Sequence, residues 1–393
     1  MRVILTRFLL FVCAGCAFTA RAADSQFSAF GTLGYSKTDS VYADYRLARN
    51  AQFSAGKHGS SVLDTRLGVH SKVTLFDTMS VVGQVLVRRN SIDEVEWSTP
   101  WAYLHWQPDV QYEMLLGRFR HSLFMITDEM DIGYAWPWVR PPVELYSLVG
   151  DASYVDGLKL RYRNTLGNYT AAIEGHFGTV HIDRAPRIVI DNHKNYGVAV
   201  SLSDGTVTYR ASLVQADVSI AAQGLNGIVQ QINQQFPSIL HEYSVTNVSP
   251  QRYVNLGIRY EDGQWLLLSE VSRLWLRTRM LPNKWAYYLT LGRSIEEFTP
   301  YVTVANQQMT DFSAENRLTG NLASIIEKFE QNSVTEQFAV ALGLRWDFTA
   351  GMALKMQIEQ IRQPANSLGI QTRVLPAGQH HYVLSSVALD WVF

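Results

Sequence analysis

The chain ends on a strand with two unlike faces. Val383, Val387, Leu389, Trp391 and Phe393 share one parity, and Tyr382, Ser386, Ala388 and Asp390 share the other. Successive strand side chains point to opposite sides, so this segment presents one apolar face and one mostly small or polar face. A last strand in a soluble sandwich has no reason to stop on an outward Phe. The same pattern recurs upstream. Leu63, Leu67, Val69, Val73 and Leu75 alternate with Asp64, Arg66, His70, Lys72 and Thr74, and Phe338, Val340, Leu342, Leu344 and Trp346 alternate with Gln337, Ala339, Ala341, Gly343 and Arg345. Runs of about 10 to 13 residues exceed the five or six usual in soluble strands and match a tilted strand crossing a bilayer.

About sixteen such segments can be counted by this pattern. They start near Phe27, Val62, Met79, Glu96, Gln111, Tyr154, Gly167, Lys194, Gly205, Gln251, Gln264, Lys284, Phe298, Val334, Gly351 and His381. Every second connection is short and rich in turn formers: Asp77-Thr78, Gln107-Pro108-Asp109, Ser203-Asp204-Gly205, Glu261-Asp262-Gly263 and Thr349-Ala350-Gly351. The others are long, chiefly 37–61, 121–153, 179–193, 217–250, 310–333 and 363–380. Short turns on one side and long loops on the other describe an all-β fold, a transmembrane antiparallel β-barrel with periplasmic turns and extracellular loops. Aromatic placement agrees, because Trp106, Tyr162, Tyr260 and Trp346 end outward runs at the turn side, where a membrane interface would lie.

Beyond the amino terminus no uninterrupted apolar run reaches about 18 residues, so a spanning helix is not expected, while a closed barrel satisfies every backbone group by pairing. The first residues read differently. Arg2 and Arg7 precede an apolar stretch from Phe8 to Phe18, and Ala20-Arg21-Ala22 is a small-residue cleavage signal, which makes 1–22 a signal peptide and 23–393 the barrel. Cys13 and Cys16 both lie in that leader, so the mature chain has no thiol and no Cys-ligated metal. The 34 Lys and Arg against 35 Asp and Glu exclude a basic nucleic-acid surface, and loss of Arg2, Arg7 and Arg21 leaves a net charge of −4.

Phe30-Gly31-Thr32-Leu33-Gly34, Asp64-Thr65-Arg66-Leu67-Gly68-Val69 and Leu116-Gly117-Arg118 fall in the order of the first, second and fifth strands of the Gram-negative general diffusion porins, which they resemble. The resemblance implies a trimeric sixteen-stranded outer-membrane barrel. Its third extracellular loop, about residues 121–153, would fold inward and narrow the pore. Lipid and lipopolysaccharide would be its surroundings, and the barrel-assembly machinery would read Phe393. The loop departs from the family pattern in carrying Trp136-Pro137-Trp138-Val139-Arg140-Pro141-Pro142 in place of an acidic, glycine-rich constriction. The prolines stiffen it, and the tryptophans either pack on the wall or, with Tyr134, form an aromatic slide for a sugar-like solute.

Parity places Arg66, Arg88, Lys159, Arg161, Arg163, Arg210, Arg259, Arg345 and Lys355 in the lumen, against fewer acids such as Glu174, Glu270 and Glu359. With Asp128, Glu129 and Asp131 on the inward loop, a basic wall facing an acidic loop would create a transverse field. Catalysis is not expected. His121 and Ser122 are consecutive, hence on opposite faces of a continuing strand, and His380-His381 lacks metal-ligand spacing. No cofactor motif appears. Residues 224–243 and 320–331 read as helical loop insertions, either decoration or a partial plug. The expected function is passive diffusion of small hydrophilic solutes with modest anion preference. The rival is a loop-plugged barrel serving as receptor, adhesin or scaffold.

Overall fold

The computed structural model describes residues 25–393 except 47–53, 90–94, 151–152, 185–187, 245–247, 311–315, 332, 365–366, 368 and 371–379. The expected signal peptide, and much of the 363–380 loop, lie outside the described residues. Sixteen strands follow one another: β1 (Ser25–Thr38), β2 (Arg66–Phe76), β3 (Met79–Arg89), β4 (Val95–Trp106), β5 (Tyr112–Arg120), β6 (Tyr154–Leu166), β7 (Tyr169–Arg184) and β8 (Ile188–Ser203), then β9 (Val207–Ala222), β10 (Val248–Glu261), β11 (Trp265–Trp275), β12 (Asn283–Arg293), β13 (Phe298–Thr310), β14 (Gln337–Thr349), β15 (Met352–Arg362) and β16 (His381–Val392). Each pairs antiparallel with its sequence neighbours, and β1 pairs with β16, so the sheet closes on itself.

Alternation positions every strand. On β16, Tyr382, Leu384, Ser386, Ala388 and Asp390 are buried toward the interior, whereas Val387 and Phe393 are exposed on the outside. The outward side chains form an apolar belt that water would not tolerate, and closure removes the free edges that lipid would not tolerate. The tight turns reuse one device. Asp109, Asp204 and Asp262 each accept two backbone N–H bonds from the residues opening the next strand. Gly205 and Gly263 follow Asp204 and Asp262 at φ +93° and +86°, a left-handed conformation that side chains resist. Aromatic rings collect at this turn end, with Tyr112 beside Tyr162 at 5.1 Å and Phe298 stacked on Trp346 at 5.8 Å.

Two expectations need correcting. Residues 62–65 precede β2, and Leu63 is buried in a cluster with Tyr45, Ile361 and Leu384 rather than facing outward. Most of 179–193 is strand, because β7 and β8 extend into a tall hairpin. Irregular register at Gly178/Val180 and His193/Tyr196, with Lys194 at φ +50°, breaks the alternation by which a strand is recognised. At the loop end, α2 (Gln223–Gln235) and α4 (Gly320–Gln331) take up the two helical insertions; two shorter helices are α1 (Val143–Tyr146) and α3 (Leu240–Tyr243). Ile232, Tyr243, Met280, Leu318, Leu322 and Ile326 bury one another there, so these long loops share a small core of their own.

Candidate functional site

Residues 121–150 lie inside the barrel, and the wall of β9–β13 is built to receive them. Leu123, Phe124, Ile126, Trp136, Trp138, Leu145 and Tyr146 pack against inward Val214, Tyr253, Leu268, Leu274, Ala286, Tyr288 and Tyr301. Burying apolar surface on both partners fixes the loop against this side. Trp136 and Trp138 stack at 6.1 Å and are buried, which places them on the wall and not along an aromatic track.

Polar ties give the loop its position. The indole N–H of Trp138 donates to Thr290 at 3.0 Å and to Thr303 at 3.1 Å. Glu270 accepts four bonds, from Tyr146 at 2.5 Å, Asn255 at 2.8 Å, the Met125 amide at 2.9 Å and Tyr288 at 3.0 Å. A buried carboxylate so surrounded is satisfied, and it pins the loop at two places. Lys355 donates to the carbonyls of Gly133 at 2.6 Å and Trp138 at 3.0 Å, and its charge meets Asp390 at 2.9 Å. The approach requires a glycine. A Cβ on Gly133 would sit 2.0 Å from an Asp390 oxygen and 2.6 Å from that of Thr32. Arg345 donates to the carbonyls of Tyr134 at 2.6 Å and Trp136 at 3.0 Å while paired with Asp347 at 2.7 Å.

At the far side of the loop Arg140 is buried in a socket. It donates to both Asp64 oxygens, at 2.7 and 3.0 Å, to Ser36 at 2.7 Å and to Ser386 at 2.9 Å, with Glu359 3.9 Å away. Burial alone would raise the Asp64 carboxyl, but the Arg140 guanidinium outweighs it and holds the group below the usual range. Nearby Glu144 is fully buried and accepts from Gln337 at 2.7 Å. Burial, then the charge of Glu359, pushes its carboxyl up.

The loop thus occupies the β9–β16 and β1 side. Toward β2–β8 its contacts are charged. Asp128, half exposed, lies 3.8 Å from Lys159 and 3.9 Å from Arg161, and Asp131 pairs with Arg120. Burial would raise Asp131, but Arg120, Arg88 and Arg66 together hold it low. Arg66 and Arg88 are register partners on β2 and β3, so both stand on the inward parity at one level of the wall. Glu129 behaves oppositely, because burial first and Asp128 second raise its carboxyl.

The other basic positions are less free than parity suggests. Arg161 bonds Glu174 at 2.7 Å and Glu113 at 3.0 Å, Arg163 bonds Glu113 at 3.2 Å, and Arg210 pairs with Glu174. Arg259 pairs with Glu261 at 2.5 Å and lies 5.7 Å from the Trp136 ring. Glu113, Asp347 and Asp390 balance much of the wall, and a reading that counts lumen cations passes over them. Their signal is available: each stands on the inward parity of its strand. The expected face-off between a basic wall and an acidic loop is therefore replaced by a mixed wall with local pairs. His121 and Ser122 lie just past β5, both buried. At the end of the chain, Phe393 exchanges backbone bonds with Ala29 at 2.8 and 2.9 Å, and its ring is exposed.

No protein-family model matches the chain, and no curated protein matches it in sequence. Solved structures do resemble it. An anion-selective porin from Comamonas acidovorans superposes with a TM-score of 0.56 at 13% identity, over 94% of this chain and 100% of that one. OmpF of Salmonella typhi, solved with daunomycin, gives 0.54 at 8%, over 94% and 98%. The fold is that of the outer-membrane porins. The outer membrane channel DcaP of Acinetobacter baumannii shares the same porin fold, with a TM-score of 0.53 at 11% identity over 96% and 99% of the two chains. A porin fold with an apolar belt is an outer-membrane architecture.

Proposed function

We propose that the chain is an outer-membrane diffusion channel for small hydrophilic solutes, exported with residues 1–22 removed. The observation that carries this reading is the one-sided loop. Apolar packing and buried ties fill the side toward β9–β16, while charged side chains face one another toward β2–β8. Solutes pass along that second side, over the charged surface that Asp128 and Arg161 form where loop and wall meet and past the wall carrying Arg66 and Arg88. Asp131 is paired with Arg120, and the charges of Arg88 and Arg66 also hold it low; guanidinium groups stay charged at any working pH, so the route favours anions modestly. No catalytic step is part of this function. The chain assembles as a homotrimer through the barrel-assembly machinery, which reads the exposed Phe393, among lipopolysaccharide. Single-channel recording in a planar bilayer tests the reading: stable steps with an anion-directed reversal potential are expected, and a folded barrel that never conducts rejects it.

The second reading, a plugged barrel acting as receptor or scaffold, draws on the size of the loop's interior core. It predicts that such a barrel conducts only after the 121–153 loop is shortened.

A further inference from the structure

The outward face at the loop end of β8–β13 differs from the rest of the belt. Register places Tyr196, Gln215, Arg252 and Trp275 in one row across four strands, and Arg273, Trp285 and Gln308 in a second row across three. Arg252 and Arg273 are exposed. Just beside them on the same face, Val254 and Val271 continue the apolar surface toward the turn end. The row is held in order by its own bonds. Arg252 donates through Nε to Gln215 at 2.9 Å, and Trp285 donates to Gln308 at 3.1 Å. Arg273 lies over the Trp275 ring at 4.9 Å.

These cations lack the neutralisation found elsewhere on the outside. Arg118, on the outward parity of β5, is clamped by both oxygens of Asp156 at 2.7 Å. Among the described residues neither Arg252 nor Arg273 has a carboxylate within 4.0 Å; of the acids on this face, Asp217 lies 3.8 Å from Lys194 and Asp191 is paired with His181 at 2.5 Å. Two guanidinium groups beside interfacial tryptophans match a phosphorylated headgroup, since the fork geometry fits phosphate oxygens and the indole rings sit at the boundary of the acyl chains.

We propose that this face is a docking site for the phosphorylated headgroup of an outer-leaflet lipid, with Arg252 and Arg273 as its phosphate ligands. The proposal rests on the outer-membrane reading. A second copy of the chain would need an acidic counter-patch to occupy the same face.

The test uses the full-length mature protein, stripped of lipid in a neutral detergent and mixed with diphosphoryl lipid A or with phosphatidylcholine. Bound lipid is counted by native mass spectrometry. Wild type is expected to retain lipid A and not phosphatidylcholine, Arg252→Gln with Arg273→Gln to reduce retention at least tenfold, and the Lys pair to restore part of it. Heat-modifiable gel mobility reports that each barrel is folded. Equal retention by the Gln pair overturns the proposal, as does equal retention of phosphatidylcholine. A changed oligomer mass with unchanged lipid retention also overturns it, in favour of a subunit contact. Failure of the outer-membrane reading would show separately, as a chain that fractionates without the membrane.

Discussion

Arg140 of the interior loop and Asp64, just before β2, form a two-pronged ion pair at 2.7 and 3.0 Å in a site that water scarcely reaches. Removing one member leaves a buried charge without compensation, which typically costs about 3–5 kcal/mol. Arg140→Met is therefore expected to lower the denaturant midpoint and to make the conductance larger and noisier. If the R140M channel keeps the wild-type midpoint and current, the pair does not hold the loop.

Arg161 and Arg163 share Glu113, and Arg161 also holds Glu174. Replacing both arginines with Gln unmasks those carboxylates, so the zero-current potential in a salt gradient should move toward cations. The shift should be larger at low ionic strength, where screening lengths are longer. Neutralising Asp128 and Glu129 should move it the other way. An unchanged potential in both variants, with the barrels folded and conducting, would place the solute route elsewhere.

Acidification separates the loop carboxylates. Burial and Asp128 raise Glu129, whereas Arg120, Arg88 and Arg66 outweigh burial and keep Asp131 low. As pH falls, Glu129 takes up its proton before Asp131, negative charge leaves the half of the loop that faces the charged wall, and anion preference should increase before Asp131 titrates. Reversal potentials measured from pH 7 downward check this, and Glu129→Gln should remove the early change while leaving the later one.

Trp138→Phe keeps the ring but removes the N–H shared by Thr290 and Thr303, which remain bonded to each other at 2.7 Å. A loss of about 1 kcal/mol is expected, far below that for Arg140→Met. Comparing the two denaturant midpoints tests whether the charged socket or the indole anchor dominates.

Much of this architecture is legible because a membrane barrel repeats one rule, apolar outside and polar or small inside, along every strand. The rule is weakest where the interior is not water. On β11, Leu266, Leu267 and Leu268 are apolar on both parities, and Leu268 is buried beneath the loop. Double-sided apolarity on inward positions is the mark of a covered wall. Pair formation is harder to read, because Arg140 and Asp64 stand 76 positions apart and only tertiary folding brings them together. The tall β7–β8 hairpin escapes for a local reason, since irregular register interrupts the two-residue period.

The socket of Arg140 also bears on how the cylinder is closed. Ser36 belongs to β1 and Ser386 to β16, and these two residues are register partners across the joint that closes the cylinder. One guanidinium from the interior loop bonds both hydroxyls. The last stitch of the sheet and the lodging of the loop therefore share an atom group. Loosening that guanidinium would slacken the closing joint and the loop together.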